Sequence, residues 1–289
     1  MDEINTAQVA KDSAQGAPTA NSSVTGDLRI HEFTSDIFRN TRTLRVWLPP
    51  RYGAAENEQR RYPVLYLNDG QNLFDNSTSF TGVEWGVDET ADRLIRQEAI
   101  PPLIIVGIDN AQNERMKEYL PYRSINPRIL RPRGKRYPAF LVDEVMPFIE
   151  NHYRVSRGPE NAGLGGSSLG ALISLFTVMD RPGLIGHLLL ESPSLFVSRR
   201  RLLSGSHRFW RWPDKIFLAI GTKETGREEK DRQAVADVRE LEENLRQAGL
   251  DERRLRVQID PGAVHHEREW AKRFPGALEF LFGRQVSLE

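Results

Sequence analysis

Short apolar runs alternate with helix-period segments along most of this 289-residue chain, and this alternation limits its fold more than any other feature. Residues 103–108 form a run too short for a helix that suits a buried strand, whereas residues 137–150 repeat apolar side chains at helical spacing. Strands that alternate with helices predict a mostly parallel sheet with helices on both faces. Because residues 28–33 and 42–48 have no helix between them, they indicate an antiparallel start.

The resulting prediction is an α/β fold with about eight strands in the central sheet. The predicted strands are residues 28–33, 42–48, 63–68, 103–108, 161–166, 186–190, 215–220 and 255–259. The predicted helices are residues 86–97, 137–150, 169–179, 231–248 and 267–282.

The chain divides into two parts by composition. Residues 1–26 are rich in Ala, Ser, Thr, Asn and Gly, which predicts a disordered leader, and residues 27–289 are predicted to form a single domain. Acidic Asp2 and Glu3 precede no apolar stretch, so no intact signal peptide is expected, although one cleaved upstream stays open. No apolar run reaches the roughly 18 residues of a membrane span. These features favour the cytoplasm and leave the compartment unknown.

Two counts exclude several kinds of site. The absence of cysteine excludes a thiol nucleophile, thiolate zinc sites and disulfides. The 40 basic and 40 acidic residues give zero net charge, which argues against nucleic acid as the main partner. Neither count determines the oligomeric state, and a homodimer stays open.

The segment 165–171, Gly-Gly-Ser-Ser-Leu-Gly-Ala, lies between a predicted strand and a predicted apolar helix. Gly166, Ser168 and Gly170 match the G-x-S-x-G pattern, in which a serine occupies a sharp strand-to-helix turn and small neighbours let that turn close. Ser167 has no glycine two residues later, so Ser168 is the candidate nucleophile. The alternative is a glycine-rich turn without chemistry.

A serine nucleophile of this kind is followed in the chain by an acid and then by a histidine. Glu224 lies just after the predicted strand 215–220 and is the favoured acid, although Glu228, Glu229 and Asp231 are nearby rivals. Two histidines, His265 and His266, follow the acid, and they lie between the last strand and the last helix. One of them is expected to be the general base and the other to cap that helix. A metal site on this His-His pair lacks a third ligand at metal spacing.

The loop after the third predicted strand is the candidate for half of an oxyanion hole. It contains Gly70, whose small size lets the backbone approach the site, so the Gln71 N–H is predicted to act together with the Leu169 N–H.

Taken together, these residues make the chain resemble the putative-esterase family of α/β-hydrolases, over about residues 40–283. That family includes enterochelin esterase, feruloyl and acetyl-xylan esterases, S-formylglutathione hydrolase and mycolyltransferases. The resemblance rests on segments that occur in the family order: 42–50, 62–75, 118–122, 166–170, 221–224 and 265–270.

The resemblance implies an α/β-hydrolase fold and a role for each candidate residue. Ser168 would be the nucleophile, Glu224 the acid, and His265 the base, because the family pattern His-x-Glu-x-x-Trp begins at His265. Gln71 and Leu169 would form the oxyanion hole. One departure is Ala171 at a position where the family often has glycine, which is interpreted as a packing variation. No cofactor or metal is implied.

The substrate predictions rest on residues that follow strand ends. Asn72, Trp85 and Tyr119 are candidate substrate contacts. Two basic segments, if they lie over the cleft, would suit a polar or anionic aromatic acyl group; the alternative is a pair of solvated loops. Their members are Arg128, Arg131, Arg133, Lys135 and Arg136 in the first, and Arg199, Arg200, Arg201, Arg208 and Arg211 with Trp210 and Trp212 in the second.

The predicted function is hydrolysis of a small-molecule carboxylic ester through a Ser-His-Glu triad and an acyl-enzyme. A carbohydrate-linked, feruloyl-type or siderophore ester is the expected substrate. The alternatives are acyl transfer to an alcohol acceptor, S-formylglutathione hydrolysis and a non-catalytic binding protein on the hydrolase scaffold.

Overall fold

The computed structural model describes residues 22–123 and 131–283. Within them, eight strands form one sheet in the order β1-β2-β4-β3-β5-β6-β7-β8. Strand β2 runs antiparallel to both of its neighbours, and every pair from β4 to β8 is parallel. The strands are β1 (Asp27–Ser35), β2 (Asn40–Leu48), β3 (Val64–Asn68), β4 (Ile104–Ile108), β5 (Ala162–Ser167), β6 (His187–Glu191), β7 (Lys215–Lys223) and β8 (Leu255–Val264). The predicted α/β class and the antiparallel start are confirmed.

Helices cover both faces of this sheet. They are α1 (Val87–Arg96), α2 (Arg115–Tyr119), α3 (Tyr137–Ala139), α4 (Met146–His152), α5 (Leu169–Asp180), α6 (Val197–Ser206), α7 (Glu228–Gln247) and α8 (Glu267–Phe282). A π-helical turn, Phe140–Val145, joins α3 to α4, so the single predicted helix at 137–150 is interrupted. Pro147 lacks the N–H that a regular turn would use there. Helices α2 and α6 were not predicted from the sequence.

The central strands are buried on both sides, which explains their continuous apolar runs. Successive side chains of a strand point to opposite faces. Val64 and Tyr66 of β3 therefore join the core under α5 and α7, whereas Leu65 and Leu67 join the core under α1 and α8. Two apolar layers thus hold the sheet rigid and leave its carboxyl edge to carry the polar residues described below.

Residues 22–26, which fall within the predicted leader, contact the rest of the domain. Residues 1–21 of the predicted leader lie outside the described part of the chain. Ser22 donates to Asp75, and the Thr25 N–H donates to Asp88 at 2.5 Å. The Trp47 indole donates to the Thr25 carbonyl at 2.8 Å. Few apolar residues occur here, so a composition argument overlooked contacts that are made by hydrogen bonds.

Candidate active site

Ser168 occupies the turn between β5 and α5. Its φ of 56° and ψ of −120° are unfavourable for a residue with a side chain, as expected where a turn is held by its surroundings. The Ser168 N–H donates to the Glu191 carbonyl at 2.9 Å, which ties the turn to β6. A Cβ on Gly170 would lie 3.0 Å from Asp69 Oδ2 and 3.1 Å from Asn68 Cβ. The turn therefore requires a small residue at the position that the sequence motif supplies.

Glu224 and His265 are brought together by the ends of two neighbouring strands. Lys223, the last residue of β7, pairs with Val264, the last residue of β8. The residues that directly follow the two strands are therefore Glu224 and His265. Glu224 Oε2 accepts a hydrogen bond from His265 Nδ1. Both strands extend beyond their predicted ends, to 223 and 264 rather than 220 and 259.

The other oxygen of Glu224 is held by two donors. Oε1 accepts from the Gly221 N–H at 2.7 Å and from Ser192 Oγ at 2.8 Å. Burial by itself would raise the pKa of Glu224, but its hydrogen bonds with His265, Gly221 and Ser192 together hold that pKa below the ordinary value of 4.5. Glu224 is therefore an anion at neutral pH, with one oxygen directed at the imidazole.

Trp270 stabilises the arrangement of Glu224 and His265 through contacts with Ser192 and His265. Its indole N–H donates to Ser192 Oγ at 3.1 Å, and its ring lies perpendicular to that of His265 with centroids 5.1 Å apart. Trp270 belongs to the family pattern in the sequence, but its contact with Ser192 was not foreseen. The signal available for Ser192 was its position in Ser-Pro-Ser directly after β6, at the carboxyl edge of the sheet.

The described residues give Ser168 Oγ one hydrogen-bonding partner, Ser194 Oγ at 3.2 Å. No hydrogen bond joins it to His265 in this structure. Ser168, Glu224 and His265 nevertheless line the same cleft of about 700 Å³, whose apolar wall includes Leu195 and Ile220. Catalytic hydrogen bonds of serine hydrolases are often long before substrate binds.

The predicted oxyanion donors lie on two segments that are fastened to each other. Asn68, the last residue of β3, donates to the carbonyls of Gly165 and Gly170 at 3.2 and 3.1 Å. Within the part of the chain that the structure describes, neither the Gln71 N–H nor the Leu169 N–H donates to a protein acceptor. Both donors are thus free for a ligand oxygen.

A partly buried ion pair fixes the loop that carries Gln71. Asp69 has a left-handed backbone (φ 60°), and Arg115 of α2 binds its two carboxylate oxygens at 2.6 and 2.7 Å. The Asn110 amide donates to the same carboxylate at 2.6 Å. Because Asp69 is 5% exposed, this pairing compensates a charge that would otherwise be costly to bury.

None of the three candidate substrate contacts lines the cleft of Ser168. Trp85 is 3% exposed and packs against Trp270 and Phe274. Tyr119 is fully buried, and its hydroxyl accepts from the Asp69 N–H at 3.3 Å. Asn72 Oδ1 accepts from the Phe80 N–H at 3.0 Å, which holds the next loop. The side chains of Trp85 and Tyr119 thus lie in the core, whereas that of Asn72 is half-buried.

The rivals of the proposed acid and base have other contacts. Asp231 accepts from the Thr225 N–H at 2.6 Å and from its hydroxyl at 2.7 Å. Glu228 and Glu229 belong to the first turn of α7. His266 precedes α8, and its Nδ1 accepts from the Arg268 N–H at 3.1 Å, which is the capping role expected of one histidine.

One carboxylate cluster could hold a metal ion. Among the described residues it consists of Glu84, Asp88 and Glu89, each of which offers an oxygen within 4.8 Å of the others. None of the three lines the cleft, so a metal there would not touch Ser168. Also within the described residues, no helix is long and apolar enough to cross a bilayer.

Comparison with known proteins decides the family. The profile of the family described as "Putative esterase" matches residues 35–281, which is most of the chain. The chain belongs to this esterase family. Its fold is accordingly that of the α/β-hydrolases, and the esterase is a carboxylic ester hydrolase, as the sequence predicted.

One sequence relative and one solved structure match this esterase over most of its length. The uncharacterized protein YbbA of Bacillus subtilis is 28% identical over 252 residues, which cover 85% of this chain and 94% of YbbA. The BES protein of Bacillus cereus has a TM-score of 0.68 at 18% identity, covering 97% of this chain and all of that chain. YbbA gives the esterase a relative along nearly its whole length, and BES gives it a shared fold.

Two other solved structures are similar to the esterase in fold. The enterobactin esterase FES of Shigella flexneri has a TM-score of 0.67 at 17% identity, covering 91% of this chain and 60% of that one. The ferulic acid esterase AmCE1/Fae1A of Anaeromyces mucronatus has a TM-score of 0.61 at 21% identity, covering 93% and 92%. At these identities the likeness concerns the fold alone.

Proposed function

We propose that this esterase hydrolyses carboxylic esters through Ser168 as nucleophile, His265 as general base and Glu224 as orienting acid. The observation that carries the proposal is the hydrogen bond between His265 Nδ1 and Glu224 Oε2 in the cleft that Ser168 also lines. A carboxylate on Nδ1 selects the tautomer that carries its proton there. The Nε2 lone pair is then available for the Ser168 proton.

The proposed reaction has two halves. Ser168 Oγ attacks the ester carbonyl while its proton passes to His265 Nε2, and the imidazolium that forms is stabilised by Glu224. The negative charge on the carbonyl oxygen is held by the Gln71 and Leu169 N–H groups, which donate to no acceptor among the described residues. The alcohol takes the proton and leaves, and water then repeats the sequence on the acyl-enzyme.

The proposed substrates are feruloyl-type, siderophore or carbohydrate-linked esters. The support is the combination of esterase membership with solved structures of similar fold whose names are enterobactin esterase and ferulic acid esterase. An apolar wall at Leu195 and Phe196 beside the proposed nucleophile suits an aromatic acyl or alcohol group.

The decisive experiment compares Ser168→Ala with Ser194→Ala on a panel of p-nitrophenyl and feruloyl esters. Ser194 is the matched control because its hydroxyl touches that of Ser168 but has no proposed covalent role. We expect Ser168→Ala to lose activity by at least about 10³-fold and to lose labelling by a fluorophosphonate, whereas Ser194→Ala keeps both. Full activity in Ser168→Ala with a native circular dichroism spectrum would refute the mechanism.

A further inference from the structure

The two basic segments, which are separate in the sequence, converge on one cavity. This cavity of about 990 Å³ is lined in part by Tyr122, and its lining among the described residues includes five cationic side chains and no acidic one. The five are Arg123, Arg131, Lys135, Arg199 and Arg201. Arg123 belongs to neither segment, and Arg128 of the first segment lies outside the described residues. The set is called the cationic pocket below.

The aromatic ring of Tyr122 forms the centre of the cationic pocket. The Arg201 guanidinium lies 4.4 Å from the ring centroid, and the Lys135 ammonium lies 5.7 Å from it. Tyr122 is itself held in place, because its ring packs against Phe176 of α5 and its carbonyl accepts from Ser198 Oγ at 3.1 Å. Two cations from different segments therefore share one fixed platform.

The pairing of charges differs between the cationic pocket and its surroundings. Within residues 22–123 and 131–283, none of the five cations forms an ion pair within 4.0 Å. Neighbouring basic residues do: Arg133 pairs with Glu114 at 3.0 Å, and Arg200 pairs with Asp237 at 2.9 Å. Five like charges around one cavity repel each other, and an anion that enters the cavity relieves that repulsion.

A strained backbone presents one of these cations. Ser198, Arg199 and Arg200 have φ values of 53°, 57° and 60°, so three consecutive non-glycine residues are left-handed at the start of α6. Such a turn costs free energy and is retained where the surroundings or a function require it. Here it directs Arg200 to its acidic partners on α7, while Arg199 lines the cationic pocket.

A short stretch of chain connects the cationic pocket to the cleft of Ser168. Ser194, whose hydroxyl is 3.2 Å from that of Ser168, precedes Ser198 of the pocket by four residues. Four residues span at most about 14 Å, which limits the separation of the Ser194 and Ser198 backbones. Phe196, between them in the chain, lines the cleft. The two sites are therefore joined by one short segment of the chain.

We infer that the cationic pocket is a substrate subsite that binds the multivalent anionic part of an ester whose carbonyl lies at Ser168. The inference rests on the proposed function for the position of the ester, but the binding of an anion does not depend on catalysis. Arginine and lysine side chains favour carboxylate, phosphate and catecholate oxygens alike. The recognised chemistry is thus a cluster of anionic oxygens on the same molecule as the ester.

The first experiment measures binding of tripolyphosphate by isothermal titration calorimetry. The test variant is Arg199→Gln/Arg201→Gln, and the charge-matched control is Arg208→Gln/Arg211→Gln, from exposed positions that do not line the pocket. We expect binding that weakens with salt, a loss of about tenfold or more in the test variant, and wild-type affinity in the control. Equal affinity in the two variants would overturn the inference.

The second experiment distinguishes a substrate subsite from a site for free anions. Its substrates are the p-nitrophenyl monoester of dodecanedioic acid and the same compound with its free carboxylate capped as a methyl ester. We expect the test variant to raise KM for the carboxylate substrate only, with kcat for the capped one unchanged. If the test variant affects both substrates equally, the pocket does not recognise the anionic part of the ester. That result would assign the pocket to a free anion and contradict the inferred subsite. Tripolyphosphate binding without hydrolysis of any ester would refute the proposed function and leave the anion site standing.

Discussion

Lys223 and Val264 face each other across the last two strands, and the residues that follow them are Glu224 and His265. The distance between the proposed acid and base is therefore fixed by a β-ladder, although 41 positions separate them in the chain. A β-ladder is stiffer than a loop and therefore holds the two residues at a more constant distance than loops would. The approach of the two strands depends on Gly221, because a Cβ there would lie 2.2 Å from the Ala263 carbonyl oxygen.

Gly221→Ala is expected to separate β7 from β8 and to displace Glu224. The Gly221 N–H also donates to Glu224, so the variant disturbs the proposed acid twice. We expect kcat/KM to fall by about 10²-fold or more, together with a loss of about 1–3 kcal/mol in the free energy of unfolding. The matched control is Gly276→Ala in α8, where a Cβ meets nothing within 4 Å. Wild-type kinetics in Gly221→Ala would show that the ladder does not position the site.

Glu224→Gln is expected to lower kcat by about 10³-fold, because an amide neither selects the required tautomer of His265 nor stabilises its imidazolium. Asp231→Asn is expected to keep most of the activity, since Asp231 is engaged with Thr225. Steady-state kinetics of the two variants on one ester measures the difference. The opposite ranking would transfer the acid role to Asp231.

Trp270→Phe is expected to lower kcat by about tenfold with little change in KM. Phenylalanine keeps the ring beside His265 but removes the N–H that holds Ser192, which is one of the donors to Glu224. Ser192→Ala removes the hydroxyl that donates to Glu224 and that Trp270 holds. The double variant Trp270→Phe/Ser192→Ala should therefore lose scarcely more activity than Ser192→Ala alone. Additive losses would indicate that Trp270 acts independently of Ser192.

Arg115→Met is expected to lower the free energy of unfolding by about 3 kcal/mol, because it leaves the buried Asp69 carboxylate without its cation. Activity should fall as well, since Asp69 precedes the loop with the Gln71 N–H. Arg96→Met provides the control, because its ion pair with Asp92 is exposed. Urea denaturation of both variants gives the comparison, and equal stabilities would contradict the assignment.

Stability is expected to decline as pH rises from about 5 to 9. Burial and the neighbouring Glu89 carboxylate raise the pKa of Glu84 to about 7, and burial and Glu89 also raise the pKa of Asp88 to about 8. Between the ordinary carboxyl range and these values, the folded chain binds protons that the unfolded chain has released. The free energy of unfolding therefore falls through this interval and is highest below it.

Differential scanning fluorimetry across this pH range tests the prediction. The wild type should lose on the order of 5 °C in Tm, and Glu84→Gln/Asp88→Asn should flatten the profile. An exposed pair on α7, Glu228→Gln/Glu229→Gln, serves as the control. A decline of the same size in all three proteins would assign it to other groups.

Local patterns in the sequence were sufficient for the class of fold and for a set of candidate catalytic residues. Apolar periodicity reports burial directly, and the Gly166-Ser-Ser-Leu-Gly turn carries its own steric requirement, so both can be recognised from a few neighbouring residues. The same reasoning separated His265 from His266 only with the help of a family pattern, because adjacent residues of a loop give no local sign of direction.

The remaining features depend on contacts between distant segments, which no local pattern encodes. Trp85 and Tyr119 follow strand ends as expected, yet packing turned both toward the core. Ser192 acquires its place only when Trp270 and Glu224 meet around it. The sequence left open where the two basic segments lie in the fold. In the structure, residues of both segments line one cationic pocket together with Tyr122. The sequence by itself determined the fold class and the candidates for the reacting groups, and the tertiary structure decided which groups surround those candidates, because side-chain direction is a property of packing.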